Sequence, residues 1–225
     1  GSASRSEQRV IADLVAPLVA RAPELHTVLR EALTGADARL RWGCAYTLGR
    51  ALPPGPELWP VARETMRLDD GDQRWAAADL ACRVLRDHPA LRDEMHGALA
   101  DPSSTLRKMI LYCLRDLSDA DLARTATEML ADADAGVRLA AIAALSVAAA
   151  TGASTPDRER AAHAMAQLLD ADPDSGVRRA AAATLGKIGI ADATVRSALV
   201  TATRGRDTSL ARAATGALRA LGVAG

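Results

Sequence analysis

Seven side chains have the types and spacing to do chemistry together: Trp42 and Tyr46, Trp75 and Asp79, then Lys108, Tyr112 and Arg115. Trp42 and Tyr46, Trp75 and Asp79, and Lys108 and Tyr112 are each four residues apart, so on a helix each pair shares one face. Rigid amphipathic rings beside an acid and basic groups are enriched at the hot spots of protein interfaces. A carboxylate among such rings could also stabilise positive charge developing on a reacting group. Other chemistry is thin. His26, His88, His96 and His163 show no paired ligand spacing, and no HExxH, phosphate-binding Gly loop or G-x-S-x-G occurs. The seven residues are therefore binding candidates, and the residues themselves point to no metal site and no cofactor.

The elements that must carry these residues repeat along the chain. An apolar residue followed by Arg recurs at Leu40-Arg41, Leu106-Arg107, Val137-Arg138 and Val177-Arg178, with Gln73-Arg74 and Leu210-Ala211 as variants. Spacings of roughly 30–45 residues mark a helical array, and each period is long enough for two helices and two turns. Asp37, Asp70, Asp134, Asp174 and Asp207 precede the anchor by four residues, with Ser103 in the remaining repeat. Asp and Ser accept from free N–H groups at a helix start. The Arg column one turn on leads us to expect Asp–Arg bridges within and between layers. Val177, Ala181, Thr184, Leu185 and Ile188 fall on one core-facing stripe, and the anchor position belongs to the same core. Glu7 to Arg21 reads as a capping helix with Val10, Ile11, Leu14 and Leu18 apolar. Leu25, Val28, Leu29 and Leu33 mark the helix that follows.

The Asp, Val-Arg and Ala-Ala-x-x-Leu-Gly pattern resembles HEAT repeats of the short bacterial type. That resemblance implies an all-α, α-α superhelix of about six HEAT-like helical pairs behind an N-terminal capping helix. It also implies that the second helix of each pair lines a concave side. The outward columns there, one and five residues after the anchor Arg, hold the aromatic strip in the first three layers. A second resemblance rests on Trp75-Ala-Ala-Ala-Asp79-Leu80 and on Arg107-Lys108-Met-Ile110-Leu-Tyr112-Cys-Leu114-Arg115-Asp116. These look like stretches of the AlkD-type alkylpurine DNA glycosylases, with Tyr112 where that family has Trp. It implies Asp79 beside a departing cationic base, with Trp75 and Tyr112 on the sugar and backbone of the lesion. On that alternative the protein recognises or excises alkylated purines, or is a catalytically decayed relative.

Composition bounds the partners. Twenty-eight basic and twenty-eight acidic residues cancel, which disfavours a nucleic-acid partner held by general positive charge. Cys44, Cys82 and Cys113 have no CxxC spacing and read as buried small hydrophobes in a reducing cytosol. The longest apolar run is mostly Ala and too short to cross a bilayer. We therefore expect one array over residues 5–225, with residues 1–4 a cloning scar and loose end. The expected role is that of a non-enzymatic, cytoplasmic scaffold binding a protein or peptide on the N-terminal half of its concave face.

Overall fold

The computed structural model describes the backbone of residues 3–223 and the side chains of residues 10–223. Gly1 and Ser2 of the expected scar lie outside the described residues, while Ala3 and Ser4 open the first helix. The α-helices run α1 (Ala3–Val19), α2 (Pro23–Ala32), α3 (Ala38–Ala51), α4 (Trp59–Thr65), α5 (Gly71–Asp87), α6 (Arg92–Gly97) and α7 (Ser104–Asp116). They continue through α8 (Leu122–Glu128), α9 (Ala135–Ala150), α10 (Thr155–Ala171), α11 (Ser175–Ile188), α12 (Ala193–Thr203) and α13 (Thr208–Ala220). Among the described residues there is no strand. One leading helix and six pairs match the count expected from the repeats. The chain forms two compact units, Gly1–Cys113 and Leu114–Gly225.

The second helix of most pairs starts where an Asp places it. Asp37, Asp70, Asp134, Asp174 and Asp207 each accept from N–H groups of the first turn, worth about 1 kcal/mol apiece. Ser103 does the same for α7 through the Leu106 N–H at 3.3 Å. Among the described residues the N-cap carboxylates do not form the expected bridges to the Arg column; their Oδ1 atoms cap the helix starts. The anchor guanidinium turns back instead. Nη1 of Arg41, Arg74, Arg107, Arg138 and Arg178 donates to the carbonyls five and six residues earlier, at 2.6 to 3.3 Å. One side chain thus satisfies two carbonyls of the turn entering its own helix, groups that a turn leaves without ladder partners. Bridges between layers do occur, but to other carboxylates: Arg41 pairs with Glu64, and Arg67 and Arg138 pair with Asp101 and Asp172, two residues before the next N-cap position.

The core of each unit is thin and rich in small side chains. In Leu114–Gly225 the stripe Val177, Ala181, Leu185 and Ile188 is buried, as are Ala141, Leu145, Ala214 and Ala217. A Cβ on Gly186 would lie 2.9 Å from the Cα of Ala217, so this glycine lets α11 and α13 approach backbone to backbone. α11 ends at Gly189 with φ 76°, a left-handed conformation that glycine adopts without a Cβ clash. The three cysteines are buried and form no disulfide.

The first layer departs from the expectation. α1 packs on α3 through Ala12, Ala16 and Val19, while Val10, Ile11, Leu14 and Leu18 face water at 52–70% exposure. Two stripes compete on this helix, and the small-residue one permits the closer approach. Leu25 and Val28 of α2 and the anchor Leu40 are exposed as well. Leu40 therefore leaves the core column that Leu106, Val137 and Val177 occupy.

Candidate functional site: an aromatic strip on α5 and α7

The site is built by two neighbouring second helices of Gly1–Cys113. Asp70 caps α5, accepting from the N–H groups of Asp72 and Gln73, and Arg74 ties the entering turn through Leu68 O and Asp69 O. With the helix start fixed, Ala77, Ala78 and Ala81 turn inward, and Trp75 and Asp79 turn outward. On α7, Leu106, Met109, Ile110 and Cys113 are buried, which leaves Lys108 and Tyr112 on the open side. Cys82 Sγ lies 3.9 Å from Cys113 O, and Cys113 Sγ 3.9 Å from Ala78 O. These contacts hold the two helices in register.

Trp75 and Tyr112 stack across that pair, with ring centroids 5.0 Å apart and planes at 30°. Such pairs add about 0.5–1.5 kcal/mol beyond their area burial. Even so, Trp75 keeps 48% of its surface in water. Asp79, one turn along α5, is exposed, and Lys108, one turn before Tyr112, is partly exposed. Neither makes an ion pair or side-chain hydrogen bond among the described residues.

Trp42 holds the same register on α3 but only 5% of it is exposed. Its ring tilts against Tyr46 at 5.4 Å, and α3 is packed by α1, α2 and α4. Trp42 is therefore a core side chain, not the outward-facing one expected, and Tyr46 shows only part of its ring. The strip narrows from the seven expected residues to Trp75, Asp79, Lys108 and Tyr112, with Tyr46 at its edge. Arg115 pairs with Asp116 at 2.8 Å and lines a cavity of about 240 Å³ in Leu114–Gly225. Two arginines near the strip are already committed: Arg50 to Asp13, and Arg83 to Gly49 O at 2.7 Å.

Trp59 is a packing residue, buried to 1% with Nε1 donating to Glu94 at 3.1 Å. The histidines serve local ends: His26 contacts Val19 O at 2.6 Å and His88 contacts Pro54 O at 3.2 Å. His163 sits against Asp192. The Asp192 carboxyl is held below its ordinary range, first by the Val195 N–H and then by His163.

No family model matches this sequence, and no curated protein is detectably similar to it. Solved structures are similar. A designed armadillo repeat protein in complex with the peptide (KR)4 has a TM-score of 0.56 at 16% identity, covering 86% of this chain and 98% of that one. The HEAT-like repeats protein of the archaeon Thermococcus onnurineus NA1 has a TM-score of 0.52 at 13% identity, covering 96% and 98%. The fold is the HEAT- and armadillo-type helical-repeat solenoid. Computationally designed armadillo repeat proteins for modular peptide recognition are also similar, with a TM-score of 0.56 at 16% identity over 85% of this chain and 98% of theirs. No helix is long and apolar enough to cross a membrane among the described residues.

Proposed function

We propose that this repeat protein is a non-enzymatic cytoplasmic interaction module that docks a protein or peptide segment on the Trp75, Asp79, Lys108 and Tyr112 strip. The observation that carries the reading is the stacked but half-exposed Trp75. An indole left at 48% exposure forfeits burial free energy that a partner's side chain could recover. Tyr112 holds the ring in place, so little ordering cost is left for binding. The unpaired carboxylate of Asp79 one turn away suits a Lys or Arg side chain laid over the indole face, where cation–π attraction adds about 0.5–2 kcal/mol. Lys108 suits an acidic neighbour on the same segment. Repeat proteins of this fold have been solved with a peptide or designed to recognise peptides, which fits this class of partner.

The test is a fluorescence titration read at Trp75, with Trp42 and Trp59 buried as silent references, using (KR)4 and its Glu-for-Lys/Arg counterpart as probes. The basic peptide should quench Trp75 in the wild type, and in anisotropy of a labelled (KR)4 peptide Trp75→Ala or Tyr112→Ala should abolish its binding while helicity stays unchanged. Equal response to both peptides, or binding that survives both substitutions, would remove the strip from the account.

A further inference from the structure

A second face lies wholly within Leu114–Gly225 and owes nothing to the aromatic strip. The second helices α9, α11 and α13 pack side by side, so residues at equal steps from the anchor form rows across them. The row one step after the anchor holds Leu139, Arg179 and Arg212. The next row, one turn on, holds Ala143, Ala183 and Gly216, all exposed. One turn further, Val147 of α9 stands beside Lys187 of α11, whose Nζ reaches Ser146 Oγ at 3.3 Å.

Charge is segregated on this face although the chain is neutral. Residues 135–150, 175–188 and 208–220, the whole of the three helices, contain no Asp or Glu. The carboxylates at their entrances are engaged locally: the N-caps Asp134, Asp174 and Asp207 accept backbone N–H groups, as do Asp132 and Asp172, and Asp172 pairs with the buried Arg138. Among the described residues only Asp207 approaches a basic group of the face, at a loose 3.9 Å from Arg179. Arg212 is exposed and makes no ion pair among the described residues, and Lys187 is exposed.

The other half of the recognition is apolar. Leu139 and Val147 are 37% and 36% exposed on one side of α9, two turns apart with Ala143 between. The floor is open: a Cβ at Gly216 would meet nothing within 4 Å. Phosphate chains have no use for exposed aliphatic groups. No Trp, Tyr or Phe occurs from residue 114 to 225, so unpaired bases would find no ring to stack on.

We infer that this face docks an acidic segment of a partner protein, with carboxylates against Arg179, Lys187 and Arg212 and aliphatic side chains against Leu139 and Val147. The complementarity is electrostatic along the α11 and α13 side and hydrophobic along α9. A segment matching both must be amphipathic, and the small side chains of the middle row let its backbone come close.

The test uses a labelled synthetic peptide of about 18 residues, five helical turns, with Glu and Leu at helical spacing. Its Lys/Leu counterpart and a single-stranded oligonucleotide serve as competing probes in fluorescence anisotropy. The Glu/Leu peptide should bind and weaken as salt is raised, while the Lys/Leu peptide should not bind. The double variant Lys187→Glu/Arg212→Glu should weaken binding about tenfold or more with unchanged circular dichroism, since both side chains are exposed. Gly216→Leu, which fills the floor without changing charge, should weaken it independently. Equal binding of the two peptides would overturn the inference, and so would affinity indifferent to both variants. An oligonucleotide that binds more tightly than the Glu/Leu peptide and is lost in the double variant would also overturn it, assigning the face to phosphates.

Discussion

Arg138 and Asp172 close on each other through two parallel hydrogen bonds, Nε to Oδ2 at 2.7 Å and Nη2 to Oδ1 at 2.8 Å. Their side chains are 9% and 2% exposed, and they join α9 to the turn before α11. Arg138 also holds Asp132 O and Ala133 O, while Asp172 accepts the Asp174 N–H at 2.8 Å. One buried pair therefore fixes two successive helix entrances. Removing one partner leaves an uncompensated charge, which costs about 3–5 kcal/mol. Asp172→Asn and Arg138→Met should each lower the urea midpoint strongly. A double replacement by Met and Leu should recover only the part due to the uncompensated charge, since the Asp132 and Ala133 carbonyls and the Asp174 N–H still lose their partners, and a double-mutant cycle separates the two.

The same pair contributes to the acid limit of stability, with Asp101, Asp192 and Asp207, whose carboxyls are also held low. Burial pushes the Asp172 carboxyl up, but hydrogen bonds from Arg138 and the Asp174 N–H, with the charges of Arg138 and Arg178, more than reverse this. Asp101 is lowered first by its hydrogen bond from Arg67. A depressed folded-state pKa means that the stabilisation is complete above the unfolded carboxylate value of about 3.9 and is lost as pH falls through the lower folded values. Thermal melts should be flat in this contribution from pH 7 to about 5 and drop steeply below the ordinary carboxylate range. Asp172→Asn should flatten that drop in part. A wild-type and variant slope that coincide would show that the pair does not contribute to it.

Arg178 isolates the carbonyl-capping role of the anchor column, because it bonds Asp172 O and Pro173 O and, among the described residues, no carboxylate. Hydrogen bonds to a charged donor are worth about 1.5–3 kcal/mol each, less what water returns on this half-exposed side chain. Arg178→Ala should cost about 1–2 kcal/mol in chemical denaturation, and Arg178→Lys should restore little. A lysine ammonium cannot present the same planar fork.

Helix starts and the pair count were legible because Asp37, Asp70, Asp134, Asp174 and Asp207 act locally, within one turn of their own helix. The reach of Arg41 or Arg178 back over a turn was not legible, since no period or propensity encodes a contact six residues upstream through a side chain. Exposure was the harder quantity. Trp42 and Trp75 occupy the same register, yet one is 5% and the other 48% exposed. What differs is the set of neighbouring helices, which a repeat pattern does not state. On α1 the stripe of Val10, Leu14 and Leu18 and that of Ala12, Ala16 and Val19 were equally periodic. Packing on α3 chose the smaller one.

Trp42 and Trp75 should therefore separate experimentally. Trp42→Ala deletes a buried indole and should cost about 3–5 kcal/mol, read as a lower denaturation midpoint. Trp75→Ala removes a half-exposed ring and should lower that midpoint far less, while abolishing binding of a labelled (KR)4 peptide read by anisotropy. The reverse pattern would mean that the strip runs along α3 instead of α5 and α7.

Asp79 divides the interaction reading from the glycosylase resemblance. The carboxylate is unpaired beside the Trp75–Tyr112 stack, so it could face either a basic side chain or a cationic sugar. If it serves a partner's Lys or Arg, Asp79→Asn should weaken (KR)4 binding about three- to tenfold through lost charge. No alkylpurine should then be released from methylated duplex DNA by either form. If it serves a departing base, the wild type should release 3- or 7-alkylpurine, Asp79→Asn should stop the release, and peptide affinity should be untouched. Chromatography of the free base alongside the peptide titration reads both arms on the same two proteins. Zero net charge and the Tyr at position 112 favour the first outcome, since duplex binding draws most of its affinity from phosphate contacts.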